Sequence, residues 1–125
     1  MNKLLATLLI LGAAPVWAEW VLYDNSIDGN VRFFYDPSTV KGGNIKRAWD
    51  KAELKTPMES GALSFRSYNE IDCVKEKIRV LQLEAFSKAE LAGKTVGSFS
   101  EPTGWDYVAP NTIEKRLFNI VCGTK

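Results

Sequence analysis

Glu70 and Asp72 stand two residues apart in a stretch of alternating pattern, so a strand there points both carboxylates to one side. Such a pair can divide acid and base work when burial raises the pKa of one member. Both, however, share the polar parity of the segment with Arg66 and Tyr68, and Lys75 follows closely. That reads as a solvated face and not as an acid–base dyad. The chain has no histidine among its 125 residues. This removes the commonest metal ligand, the usual general base and the near-neutral proton switch together. No Ser-His-Asp or Cys-His arrangement can be built, and no SxxK, GxGxxG, P-loop or EF-hand pattern occurs. The residues point away from an enzyme, and no metal or other cofactor is expected.

Cys73 and Cys122 lack both CxxC spacing and a histidine, which argues against a redox or metal pair. In an exported chain an even number of cysteines pairs, so a structural Cys73–Cys122 disulfide is predicted. Lys75, Lys77 and Arg79 share one parity if their segment is a strand. They would then form a basic row beside the disulfide, suited to an acidic partner protein or a polyanion. The plainer reading, favoured by pattern alone, is a charged face balanced by Glu70, Asp72, Glu76 and Glu84. Arg47, on an earlier strand, is a further exposed candidate. Among the aromatic residues, Trp20, Trp49, Trp105, Tyr35 and Tyr107 are explained equally well by core packing. Tyr68 sits on a polar parity and is the aromatic expected at the surface, where it could anchor a partner.

The elements that position these residues begin after a leader. Met1-Asn2-Lys3 precedes an apolar run from Leu4 to Ala14, Pro15 breaks it, and Val16-Trp17-Ala18 provides a small-x-Ala site. This is the pattern of a secretory signal peptide over residues 1–18, and the run is too short to span a bilayer. The remaining 19–125 form a single domain with 15 basic and 15 acidic residues once Lys3 is removed. A neutral domain offers no electrostatic reason to bind nucleic acid. No further segment is apolar enough to cross a membrane, and no cysteine near the cleavage site suggests a lipid anchor.

Short apolar runs separated by turn signals predict an antiparallel sheet. Trp20–Tyr23 and Val31–Tyr35 are joined by Asp28-Gly29-Asn30, and a third strand runs from Ile45 to Leu54 before Thr56-Pro57 ends it. In the next strand Leu63, Phe65, Ile71 and Cys73 share the core parity. Residues 75–86 fit either a helical stripe (Val74, Ile78, Leu81, Ala85) or a strand with a β-bulge near Val80-Leu81. Residues 87–104 read as loop, interrupted afterwards by the aromatic anchor Trp105-Asp106-Tyr107-Val108. A closing helix is marked by Asn111 as N-cap with Glu114 three residues on, an apolar face of Ile113, Leu117, Ile120 and Val121 widened by Phe118 and Cys122, and Gly123 as its stop. The fold class predicted is α+β, an antiparallel sheet with a C-terminal helix packed on one face and stapled to it by the disulfide.

Several of these segments, in order, resemble the surface-adhesin protein E-like family. They are Tyr35-Asp36-Pro37-Ser38-Thr39-Val40, Arg47-Ala48-Trp49, Lys55-Thr56-Pro57, Tyr68-Asn69-Glu70-Ile71-Asp72-Cys73, Ile78-Arg79, and Trp105-Asp106-Tyr107-Val108-Ala109-Pro110 leading to Cys122. The resemblance covers about residues 20–123. It implies a sheet of about six strands, makes residues 75–86 a strand, and places the helix on the concave side. It also implies an exported protein of Gram-negative bacteria. The family's namesake is an outer-membrane lipoprotein that binds host matrix and serum proteins, laminin and vitronectin among them.

Two functions are therefore carried forward. One is a binding module, adhesin-like, that meets a protein partner through Lys75, Lys77, Arg79, Arg47 and Tyr68, with an extracellular matrix protein implied by the resemblance. The other is a soluble periplasmic protein with a structural or envelope-stress role, such as inhibition of an envelope hydrolase. Exposed sheet edges also allow a strand-paired homodimer. Location is the periplasm or the cell surface.

Overall fold

Gly29, with φ of 73°, gives the chain its first reversal, and Ser26 and Asp28 close the turn through the Ser26 hydroxyl and the Asp28 carboxylate. The computed structural model describes residues 19–123, so the signal peptide predicted over residues 1–18 lies outside the described residues. The turn joins β1 (Val21–Asn25) to β2 (Val31–Tyr35). A single 3₁₀ turn, Pro37–Thr39, follows; buried Asp36 caps it by accepting from the Ser38 N–H at 3.0 Å. The two-residue β3 (Lys41–Gly42) then folds back on β4 (Ile45–Leu54). Gly42 has φ of 118°, and a Cβ there would collide with the Ile45 carbonyl oxygen, so only glycine fits this reversal.

β5 (Ser64–Asp72), β6 (Lys77–Phe86) and β7 (Thr95–Phe99) continue the sheet, and β8 (Asp106–Tyr107) pairs with the start of β6. Six strands lie antiparallel in the order β1-β2-β4-β5-β6-β7. Of residues 75–86, residues 77–86 are thus strand and not helix. The phase change appears as the expected bulge: Asn69 faces Val80 and Tyr68 faces Gln82, which leaves Leu81 unpaired. Val80 and Leu83 consequently point to the same side although they are three residues apart.

The sixth strand, β7, lies within the segment that pattern reading leaves as loop. It is an edge strand, mostly exposed, with Gly97 opposite Ala85. Its apolar residues meet no second layer, so no period-2 signal marks it.

The helix α1 (Ile113–Cys122) packs its Leu117, Phe118 and Val121 against Ala48 and Ile71 of the sheet. Phe118 is 1% exposed, and burying a side chain of that size stabilises by about 2–3 kcal/mol. The Cys73–Cys122 bond ties the C-terminal end of α1 to the end of β5, with the two Cα atoms 5.6 Å apart. Two details differ from expectation. The cap is Thr112, whose Oγ1 accepts from the Lys115 N–H at 3.1 Å, while Asn111 holds a left-handed φ of 61° that turns the chain into the helix. Glu114 therefore stands one position too early for a capping box. Ile120 is 41% exposed, because the helix stripe that meets the sheet is narrower than the apolar set.

Candidate binding surfaces

The sheet has two faces, and α1 covers one. On the opposite face, β4 contributes Arg47, Trp49, Lys51 and Glu53, β5 contributes Ser64, Arg66, Tyr68 and Glu70, and β6 contributes Lys77, Arg79 and Glu84. Strand pairing places these side chains beside one another, so cations, carboxylates and rings interlock. Arg47 Nε donates to Glu70 Oε2 at 2.9 Å, and Arg79 Nε donates to Glu70 Oε1 at 2.8 Å. Arg66 Nε donates to Glu84 Oε1 at 2.8 Å. Lys51 Nζ meets Glu53 at 3.0 Å and lies near both the Trp20 and Phe34 rings.

Glu70 is only 5% exposed, which overturns its reading as a solvated carboxylate. Two long arginine side chains cover it from the flanking strands. Burial alone would raise its pKa, but hydrogen bonds and charge from Arg79 and Arg47 outweigh this and hold it below the usual carboxylate range. The same hydrogen bond to Glu70, aided by its charge, raises the Arg47 pKa. At the far end of this face, residues 87–92 fold over the sheet. The Glu90 N–H donates to Glu53, and Ser64 Oγ accepts from the Leu91 N–H while donating to the Lys88 carbonyl. Glu90 and Leu91 both carry left-handed φ values, 59° and 61°, so buried Glu53 and Ser64 hold a strained backbone in place.

The basic row is broken by geometry. Lys75 falls in the four-residue turn after β5, where Asp72 Oδ1 accepts from its backbone N–H at 2.9 Å and its side chain is exposed. Lys77 sits at the first position of β6 with Nζ 4.7 Å from the Tyr107 ring, and Arg79 lies 4.6 Å from the Trp105 ring. Lys77, Arg79 and Arg47 thus share a face with Tyr68, and Lys75 stands at its border. Tyr68 is not the free aromatic expected: it stacks on Trp49 at 4.8 Å, with Arg66 over the other ring of the pair. Tyr107, at 75% exposed, takes that place.

A second feature lies under the helix. A cleft of about 390 Å³ opens between the N-terminal half of α1 and the sheet. At its floor, Asp50 accepts from the Tyr23 hydroxyl and from Asn69 Nδ2, each at 3.0 Å. Asp50 lies between Ala48 and Ala52 on the parity that faces the helix, and the deeply set carboxylate keeps partial access through the cleft. Burial is the main cause pushing its pKa up to about 6; Glu114 adds to this, against hydrogen bonds from Asn69, Tyr23 and Ser67 that favour the charged form. Burial, and then Asp50 itself, push the Tyr23 hydroxyl well above its ordinary range.

Because the folded state binds the Asp50 proton more tightly than the unfolded chain, stability falls as pH rises from about 4 to about 6. At roughly 1.4 kcal/mol per pKa unit this amounts to about 3 kcal/mol. In Asp50→Asn that decline is expected to vanish. Urea titrations across this range check it; an unchanged pH slope in the variant would refute the assignment to Asp50.

With this geometry in view, the comparisons with known proteins are informative. No curated protein matches the chain by sequence. Two structures of Haemophilus influenzae protein E share the fold. One, of crystal form II, has a TM-score of 0.64 at 13% identity and covers 87% of this chain and 91% of its own. The other has 0.65 at 14% identity, with 87% of each chain covered. Protein E from non-typeable Haemophilus influenzae superposes at 0.64 over 88% of this chain and 79% of its own. The family described as surface-adhesin protein E matches residues 20–123, nearly every residue described above, and the chain belongs to that family.

Proposed function

We propose that this is an exported, non-catalytic binding module that meets a protein partner through the sheet face opposite α1. The observation that carries this reading is the continuous array of Arg47, Arg66, Arg79, Trp49, Tyr68 and Trp105 on a face no helix covers. Protein interfaces favour arginine, tryptophan and tyrosine, because they combine large contact area with directed hydrogen bonds. Lys75 and Lys77 add positive charge beside Arg47 and Arg79, which share the single carboxylate of Glu70. That charge suits an acidic patch on the partner. Export rests on the signal peptide predicted over residues 1–18, and a matrix protein as partner rests on the family.

The test is binding of the mature chain to a panel of extracellular matrix proteins by interferometry. For whichever protein binds, Lys75→Glu with Lys77→Glu is expected to weaken binding about tenfold and Tyr68→Ala by a similar factor, with unchanged circular dichroism. Binding by both variants equal to that of the unsubstituted chain rules out this face. A periplasmic envelope role is the second reading, favoured by the neutral domain and the signal-peptidase site at Val16-Trp17-Ala18. Protease digestion of intact cells supports surface display; protection until the outer membrane is opened supports the periplasm. The unpaired edge of β7 also gives a second copy a ladder to join.

A further inference from the structure

The cleft beneath α1 has a composition that the binding face does not use. Its walls are apolar, formed by Phe33, Ile78, Val80, Ile113 and Leu117. Its floor is the Asp50 carboxylate, whose hydrogen-bond partners, the Tyr23 hydroxyl, the Asn69 amide and Ser67, are all neutral. Three such bonds leave the carboxylate with further lone-pair capacity. The cations around the cleft are committed elsewhere. Arg79 is held by Glu70 at 2.7 Å, Arg116 by Asp24 at 3.0 Å, and Lys115 by Glu76 at 3.2 Å. Glu114 and Asp106 line the mouth, and neither pairs with a cation among the described residues. The N-terminus of α1 would by itself favour an anion. Glu114 in its first turn supplies the opposite charge there.

We propose that this cleft binds a primary ammonium group on a short aliphatic stem, with Asp50 as its counter-ion at the floor and Glu114 at the mouth. The ammonium supplies the positive charge that the floor lacks. The stem lies along the apolar walls, and the volume matches a small-molecule site. Free aliphatic amines and lysine side chains of a peptide present this same chemistry.

Binding selects ionised Asp50, so affinity rises with pH until that carboxylate is fully charged. The groups facing it are Tyr23 and Asp24 on β1, Ser67 and Asn69 on β5, Arg79 on β6, Asp106 and Tyr107 on β8, and Glu114 on α1. With the Asp50 pKa pushed up to about 6, affinity at pH 5 is expected to be roughly tenfold below that at pH 7.5.

The experiment titrates the ¹⁵N-labelled mature chain with 1,5-diaminopentane and, separately, with Nα-acetyl-lysine N-methylamide, using pentanoate as the control. Saturable shifts of the Asp50, Asn69, Ile113 and Glu114 amides are expected with both amines and not with pentanoate. Tighter binding of the diamine assigns a free amine; tighter binding of the lysine derivative assigns a peptide side chain. Asp50→Asn is expected to lose at least tenfold in affinity, and Glu114→Gln several-fold. Should Asp50→Asn fail to fold, Glu114→Gln and the wild-type pH profile decide. The proposal is overturned if neither amine shifts these amides, if pentanoate binds as well, or if affinity ignores both substitutions and pH. Lys75 and Lys77 lie outside this cleft, so loss of matrix binding in their variants leaves its result untouched.

Discussion

Replacing Cys73 and Cys122 together by alanine is expected to lower the unfolding free energy by about 4 kcal/mol. The bond spans 49 residues in sequence, and closing a loop of that length removes conformational entropy from the unfolded chain, about 4 kcal/mol at 25 °C. A melting temperature lower by on the order of 20 °C follows for a domain of about 100 residues. The geometry makes the cost larger than a count of contacts suggests. α1 is the element that covers the core cluster, and it reaches the sheet through only Leu117, Phe118 and Val121 among its buried residues. Without the bond, those three side chains must recruit the helix alone. Urea unfolding of the double variant, followed by circular dichroism, measures the effect. A loss below about 1 kcal/mol would mean that the reduced chain already holds the helix on the sheet.

The second large effect belongs to Glu70. Glu70→Ala leaves Arg47 and Arg79 facing each other across β5 with no carboxylate between them. Removing one partner of a buried ion pair costs about 3–5 kcal/mol, because the remaining charge stays desolvated. Here the two arginine side chains are 53% and 30% exposed, so solvent screens them and the expected loss is smaller, about 2 kcal/mol. The pH dependence has a definite sign. The folded-state pKa of Glu70 lies below its ordinary value of 4.5, so its contribution is fully present above that value and is lost as pH falls through the folded pKa. Wild type should therefore lose part of its advantage over Glu70→Ala between neutral pH and pH 3. A constant difference across that range would place the stabilisation elsewhere, in packing of the side chain stem.

Glu70 also shows where sequence pattern stops being informative. Alternation located β5 correctly and put Ile71 and Cys73 on the side of the helix. The inference from polar to solvated then failed, because it assumes that the face away from the helix is bare. Arginine and tryptophan side chains are long enough to form a covering layer of their own, and this layer depends on register between strands that are distant in sequence. The same limit hid the split of Lys75 from Lys77 and Arg79, and the stacking of Tyr68 on Trp49. The disulfide and the helix were legible because each is announced locally, by a pair of cysteines and by a 3.6-residue stripe. β7 was not, since an exposed edge strand has no inner face to produce a pattern. Asp50 carried a signal that went unread: it is a carboxylate on the apolar parity between Ala48 and Ala52, and such a residue must be either neutralised or useful.

The unpaired Leu81 in β6 bears on how this chain can change in length. Ile78 and Val80 point toward the helix before it, and Leu83 and Ala85 do so after it. Deleting Leu81 would leave all four facing as they do now and would restore an uninterrupted ladder between β5 and β6. Deleting a residue farther along, such as Glu84, would instead carry Leu83 outward and Gln82 beneath the helix when the bulge closes to restore pairing beyond it. A one-residue deletion is thus absorbed at the bulge and costs more with distance from it along the strand.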